Sequence, residues 1–183
     1  MKIGIMNDPS KSIYDETNAL GEAGFDFLDL TIEGPQAWDV DTQKLGSLLK
    51  RYNLAVTGHT DPCLPWAYPV RNIRQACLDE LERCARIFSA LGAGIMNIHP
   101  CYFCPPAMRA LLVELNVEAL RPIVQMASSY GLTIAIENFK SPFDRVSTFK
   151  VLLQEVAGLS PVSYTHLRAH ETLTPISYAV FCL

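Results

Sequence analysis

The chain has 183 residues, 49% of them hydrophobic, and carries 15 Lys and Arg against 19 Asp and Glu, a net charge of −4. That supplies one globular domain with a large core, and no run approaches the 18 apolar residues of a membrane span. Lys and Arg are scattered, which argues against a nucleic-acid partner, because neutralising phosphates requires a basic stripe.

Ile3–Met6 reads as a first strand entered without an apolar leader or small-residue cleavage site, so a cytoplasmic setting is expected. It ends in Asn7-Asp8. Ser12 to Ala23, with Ile13, Ala19 and Leu20, reads as a short helix closed by Gly24. Phe25–Ile32 is the second strand and ends in Glu33. Asp41 is placed to cap a helix whose apolar face is Leu45, Leu48 and Leu49 and whose end is Asn53. Leu54–Val56, the third strand, leads to His59. The longest helix follows, with Ile73, Cys77, Leu81, Cys84, Phe88 and Leu91 at spacings of three and four. It stops at Gly92-Ala93-Gly94, before a fourth strand, Ile95–Ile98, that ends in His99. Ala107 to Tyr130 is expected to be helical and open to division into two pieces, with Asn116 placed to restart a helix and Pro122 to sit in it or kink it. The fifth strand, Leu132–Ile136, ends in Glu137-Asn138. A fifth helix carries Val146, Phe149, Leu152, Leu153 and Val156, and a sixth strand is expected from about Ser160.

Beyond that point the pattern breaks. Val162 to Thr172 is what the codons of a transposase-type sequencing-library adapter encode, and Ile176 to Leu183 resembles the flow-cell end of the same adapter. Residues 161–183 are therefore expected to be a non-native tail, and residues 1–160 the N-terminal part of one domain. His166 and His170 have the i, i+4 spacing of a zinc half-site but fall within the tail, so they are set aside. The five cysteines before it, Cys63, Cys77, Cys84, Cys101 and Cys104, are odd in number in a chain that needs no staples, so reduced thiols are expected. Cys101 and Cys104 have redox spacing but no second pair.

Strands alternating with helices imply a parallel sheet with right-handed crossovers, as an open doubly wound sheet or as a (β/α) barrel. Neither Gly-x-Gly-x-x-Gly nor Gly-x-x-x-x-Gly-Lys is present, so no nucleotide cofactor is expected and the barrel is favoured. In a barrel the polar residues ending the five strands converge on one rim, where the chemistry of this fold resides. Two histidines and two glutamates there point to a divalent metal. The alternative at each is structural: a salt-bridged Glu137 or Glu33, or a core His59 or His99.

The segments Gly24-Phe-Asp-Phe-Leu-Asp-Leu-Thr-Ile-Glu33, Ala55-Val-Thr-Gly-His59, Leu91-Gly-Ala-Gly-Ile-Met-Asn-Ile-His-Pro100 and Tyr130-Gly-Leu-Thr-Ile-Ala-Ile-Glu-Asn138 together resemble the xylose isomerase-like TIM-barrel superfamily. The resemblance implies a (β/α)8 barrel truncated after about five βα units. It implies Glu137 as metal ligand and catalytic proton-transfer residue, with His99 and His59 as further metal ligands. Glu33, His59, Trp66 and Asn138 are the implied substrate contacts, Trp66 either walling a sugar pocket or closing the barrel top. The implied activity is a sugar isomerase or epimerase using Mn, Mg, Co or Zn on a sugar, sugar phosphate or small hydroxy-keto compound. A zinc-dependent endonuclease of the endonuclease IV type is the alternative, and a non-catalytic binding barrel the third reading. The remaining ligands of strands six to eight have no counterpart here. A sheet ending there is expected to leave strands one and five with unpaired edges, open to pairing in a homo-oligomer, and the shortened chain to be inactive.

Overall fold

The computed structural model describes residues 2–34, 39–160 and 180–182. Five βα units run in order: β1 (Ile3–Met6), α1 (Ile13–Glu22), β2 (Phe27–Ile32), α2 (Thr42–Tyr52), β3 (Ala55–Thr60), α3 (Arg71–Ala90), β4 (Ile95–Ile98), α4 (Leu112–Ser129), β5 (Thr133–Ile136) and α5 (Val146–Glu155). Two short strands complete the sheet, β6 (Leu159–Ser160) and β7 (Val180–Cys182). No helix among the described residues is long and apolar enough to cross a membrane.

Local chemistry sets the helix ends. The Asp41 carboxylate accepts from the backbone N–H groups of Gln43 and Lys44, both at 3.0 Å, which satisfies two otherwise unpaired donors at the start of α2. Asn53 closes α2 in the left-handed region at φ 53°, a conformation that asparagine tolerates. Gly24 leaves α1 at φ 80°, where a Cβ would be strained.

The segment after β4 is helical in two pieces, as expected, but divides elsewhere than at Asn116. The helical stretch breaks between a 3-10 segment, Pro106–Leu111, and α4, and α4 runs unbroken through both Asn116 and Pro122. Asn116 does not restart a helix. Fully buried, its amide accepts from the Cys101 N–H at 2.9 Å and donates to the Cys101 and Leu112 carbonyls at 2.8 Å, anchoring the loop that leaves β4.

The sheet order is β6-β5-β4-β3-β2-β1-β7, with every neighbouring pair parallel except β1 and β7. The expectation of bare edges is corrected. β5 pairs with β6 through Ile134 and Leu159, and β1 pairs antiparallel with β7 through Gly4 and Phe181. Extended chain following the fifth unit meets the N–H and C=O groups that an edge leaves open. β7 lies within the segment read as tail, whereas His166 and His170 lie outside the described residues.

Alternation along the strands separates two faces. Leu28, Leu30 and Ile32 of β2, Val56 of β3, Met96 and Ile98 of β4, and Ile134 and Ile136 of β5 join Leu45, Leu81, Phe88, Leu120 and Leu152 from the helices in one core. The other face holds a small apolar group, Phe27 and Ala135 with Met6 and Ile95, and above it Asp29, Thr57, His59, Asn97 and Glu137, all buried. Gly58 is required where the faces meet. A Cβ there would overlap the ring of Phe88, which is completely buried in α3. Gly58→Ala is expected to cost about 3 kcal/mol or more, the upper end of the usual overpacking penalty, because the overlap is with the ring of a completely buried side chain. Denaturant unfolding checks this, and a loss under about 1 kcal/mol, the low end of that penalty, would show that the α3–β3 contact yields.

Candidate metal centre

Parallel pairing brings the rim residues level with one another. Thr31 of β2 pairs with His59 of β3, and His59 with Asn97 of β4. The Glu137 N–H donates to the Ile98 carbonyl at 3.1 Å, which carries the β4–β5 pairing up to the rim. Side chains continue the fastening: Asn7 exchanges two hydrogen bonds with the Thr31 backbone, and the Thr60 hydroxyl donates to the Asn97 carbonyl at 3.1 Å.

His59, His99 and Glu137 thereby converge. One potential ligand atom from each lies within 4.8 Å of the others, and all three residues are buried. The two imidazole centroids are 5.1 Å apart, and His99 Nε2 stands 3.5 Å from Glu137 Oε2. Asn97 donates to that same Glu137 oxygen at 3.0 Å, fixing the carboxylate. Asp29 Oδ2 lies 2.9 Å from His59 Nδ1, while Asp29 Oδ1 accepts from the Thr57 hydroxyl at 2.8 Å. Asn97 also lies 3.4 Å from His59 Nδ1, but the shorter contact to a carboxylate is the one that orients the ring.

Charge balance narrows what this centre can hold. Asp29 and Glu137 are essentially unexposed carboxylates, and their ion partners are His59 and His99. When both are ionised, two positive charges must accompany them, either as imidazolium protons or as one divalent cation. Burial opposes the charged form of His59, yet the hydrogen bond and charge of Asp29, joined by the charges of Glu137 and Glu33, hold its pKa above the usual histidine value. Two imidazoles and a carboxylate on three adjacent strands are also a donor set suited to Zn or another first-row ion. The residues present fit such an ion.

The other expected contacts take separate places. Glu33 is half-buried; burial first, and then the charge of Asp61, raises its pKa despite the opposing effect of His59. Its interaction with the charges of His59 and Asp61 puts it within electrostatic reach of the centre. Asn138 is exposed beyond β5. Trp66 is buried, and its indole N–H donates to the His99 carbonyl at 3.1 Å, so it braces the end of β4. Its ring lines a groove of about 260 Å³ between α3 and α4, with Arg71, Arg74, Glu118 and Ile123, away from the histidine–glutamate cluster. Burial raises the thiol pKa of Cys77 to about 11, of Cys84 to about 12, and that of Cys101 as well, so none is poised as a nucleophile.

Sequence reasoning missed Asp29, Asn97 and an aromatic wall. Phe139 meets His99 edge-on at 4.8 Å, Tyr102 stands 5.3 Å from Phe139, and the Lys140 ammonium lies 4.6 Å from the Tyr102 ring centre. A signal for Asp29 was available: a lone carboxylate inside Phe-Leu-Asp-Leu-Thr-Ile must have a partner if the strand is buried.

The family model described as xylose isomerase-like TIM barrel matches residues 18–161. Among solved structures, D-psicose 3-epimerase from Clostridium cellulolyticum H10, crystallised with D-tagatose, is 15% identical at a TM-score of 0.71, covering 86% of this chain and 60% of that one. L-ribulose 3-epimerase is 15% identical at a TM-score of 0.69, with 89% and 59% covered. 3-Keto-D-glucoside 4-epimerase from E. coli is 17% identical at a TM-score of 0.67, with 85% and 64% covered. At these identities the likeness is one of fold, and the chain spans about 60% of the length of the first of them. No curated protein sequence matches the chain.

Proposed function

The chain belongs to the xylose isomerase-like TIM-barrel family, and from that premise we propose that it carries part of a divalent-metal-dependent isomerase or epimerase for a sugar, sugar phosphate or small hydroxy-keto compound. The observation that carries this reading is the convergence of His59, His99 and Glu137 within 4.8 Å on the rim-side face of the sheet. These residues would hold the ion, which when bound supplies charge stabilisation to an enediolate.

The protein's own groups account for the rest. Glu137 is the carboxylate nearest the centre and the candidate for moving a proton at the carbon beside the carbonyl, a role that needs a positioned base. Asn97 holds one of its oxygens and so orients the carboxylate for that transfer. Half-buried Tyr102 and Phe139 offer a flat apolar surface beside His99 for the C–H face of a small substrate. Glu33 and Asp61 make the mouth acidic, which suits a polyhydroxylated substrate better than a nucleic-acid backbone. The nitrogen-rich donor set favours Zn or Co over Mn and Mg, which prefer oxygen ligands and, for Mg, retained water. A cytoplasmic setting accords with the five free cysteines of the described residues.

The test is deuterium exchange in D2O, followed by proton NMR, on D-fructose, D-tagatose and D-allulose with Mn, Co, Zn or Mg added in turn. Metal-dependent exchange of the hydrogen beside the ketose carbonyl is the expected outcome for a chain that includes the remaining barrel strands. Incision of abasic-site DNA in place of exchange would install the endonuclease reading. Tight sugar binding with neither reaction would leave a binding barrel.

A further inference from the structure

Asp29 is completely buried in the middle of β2, and the proposed chemistry does not use it. A carboxylate in such a place is costly unless each oxygen is hydrogen-bonded, and both are, to the Thr57 hydroxyl at 2.8 Å and to His59 Nδ1 at 2.9 Å. Thr57 and His59 are two residues apart on β3 and so face the same side, and register sets Asp29 directly opposite Thr57. An ionised carboxylate can only accept, so the nitrogen it meets must carry hydrogen. A neutral imidazole with hydrogen on Nδ1 keeps its lone pair on Nε2.

We propose that Asp29, itself held by Thr57, is a positioning residue that fixes His59 as the Nδ1–H tautomer and so reserves Nε2 for a divalent cation shared with His99 and Glu137. The inference rests on the metal reading of this cluster, but the tautomer can be measured without any metal. Removing such an outer carboxylate typically weakens metal binding about 10–100-fold. Asparagine would be an ambiguous substitution, since its amide oxygen can still accept from Nδ1–H. Asp29→Leu removes both acceptors while keeping the same branched shape.

The experiment uses the full 183-residue chain. Nitrogen-15 shifts of the histidine rings near pH 9, well above the ordinary histidine pKa, identify the His59 tautomer, and titration with Zn2+ gives its affinity. Wild type is expected to show Nδ1–H at His59, and Asp29→Leu to shift it to Nε2–H with Zn2+ affinity about 10–100-fold lower. Thr57→Val should weaken binding less, with the tautomer retained. A wild-type His59 already in the Nε2–H form overturns the proposal, as does an Asp29→Leu variant that binds Zn2+ as wild type does. If wild type binds no Zn2+, the metal reading fails by itself, and the tautomer in wild type and variant decides the role of Asp29. If Asp29→Leu does not fold by circular dichroism, the wild-type spectrum decides alone, Nδ1–H supporting the proposal and Nε2–H overturning it.

Discussion

Glu137→Gln should abolish tight divalent-metal binding while leaving the fold intact. The side chain is buried with one oxygen held by Asn97 at 3.0 Å, and glutamine preserves that shape and an acceptor while removing the charge. Losing a direct ligand should cost more than the loss typical of an outer-sphere partner, so Zn2+ or Mn2+ affinity is expected to fall by more than about 100-fold. In a chain with the complete barrel, exchange activity should fall by a further factor on the order of 10²–10⁴, the usual worth of a positioned proton-transfer group. The competing view makes Glu137 a structural partner of His99. Breaking such a buried pair costs about 3–5 kcal/mol of stability whether or not metal is added. Calorimetric titration and denaturant unfolding of the metal-free variant therefore separate the two: unchanged affinity with a large loss of stability would sink the metal assignment.

The parts of the structure that are legible in the sequence are those decided by a few neighbouring residues. Asp41 capping α2, Asn53 ending it and Gly24 ending α1 each depend on chemistry confined to one turn. The strand ends at His59, His99 and Glu137 are legible because a polar residue after an apolar run breaks the pattern visibly. Asp29 and Asn97 are hidden for the opposite reason. They lie inside runs whose alternate residues, Leu28, Leu30 and Ile32 or Met96 and Ile98, face the helices, and the average over Phe25–Ile32 or Ile95–Ile98 conceals the polar positions of the inward row. For the same reason apolar patterning ends β3 at Val56, although the strand continues through Thr57 and His59, which face inward, and Gly58, which makes room for Phe88. Asn116 misleads because its partners, the N–H and C=O of Cys101, are 15 residues away, and a helix-restart signal is local by construction. Trp66 and Phe139 show the limit of reading aromatic residues by position: Trp66, read as a pocket wall or a closure of the barrel top, donates to the His99 carbonyl, and Phe139, which no pattern marks, lies against the His99 ring.

The stabilisation produced by metal should grow as pH rises from about 6 to 8, across the range in which histidine titrates. In the metal-free chain burial lowers the pKa of His59, but the hydrogen bond and charge of Asp29 with the charges of Glu137 and Glu33 together raise it above its ordinary 6.5. A group raised in the folded state contributes stability that is full below the unfolded value and is lost as pH rises through the folded value. Metal binding reverses that preference, because imidazole must be neutral to serve as a ligand and each bound proton has to leave. At low pH the cation therefore displaces protons that themselves stabilise the centre, whereas at the upper end of the range it meets two buried carboxylates with no compensating charge on the histidines. Each proton displaced is worth up to about tenfold in apparent affinity per pH unit below the folded pKa. With free ion at about 100 times the dissociation constant, the gain at the upper end is about 2.7 kcal/mol. For a chain of this size that corresponds to roughly 5–11 °C in melting temperature. Thermal unfolding at three pH values spanning the range, with and without Zn2+ or Mn2+, checks the prediction. A metal-induced shift that is constant across this range, or greatest at its acidic end, would show that the ion is held elsewhere.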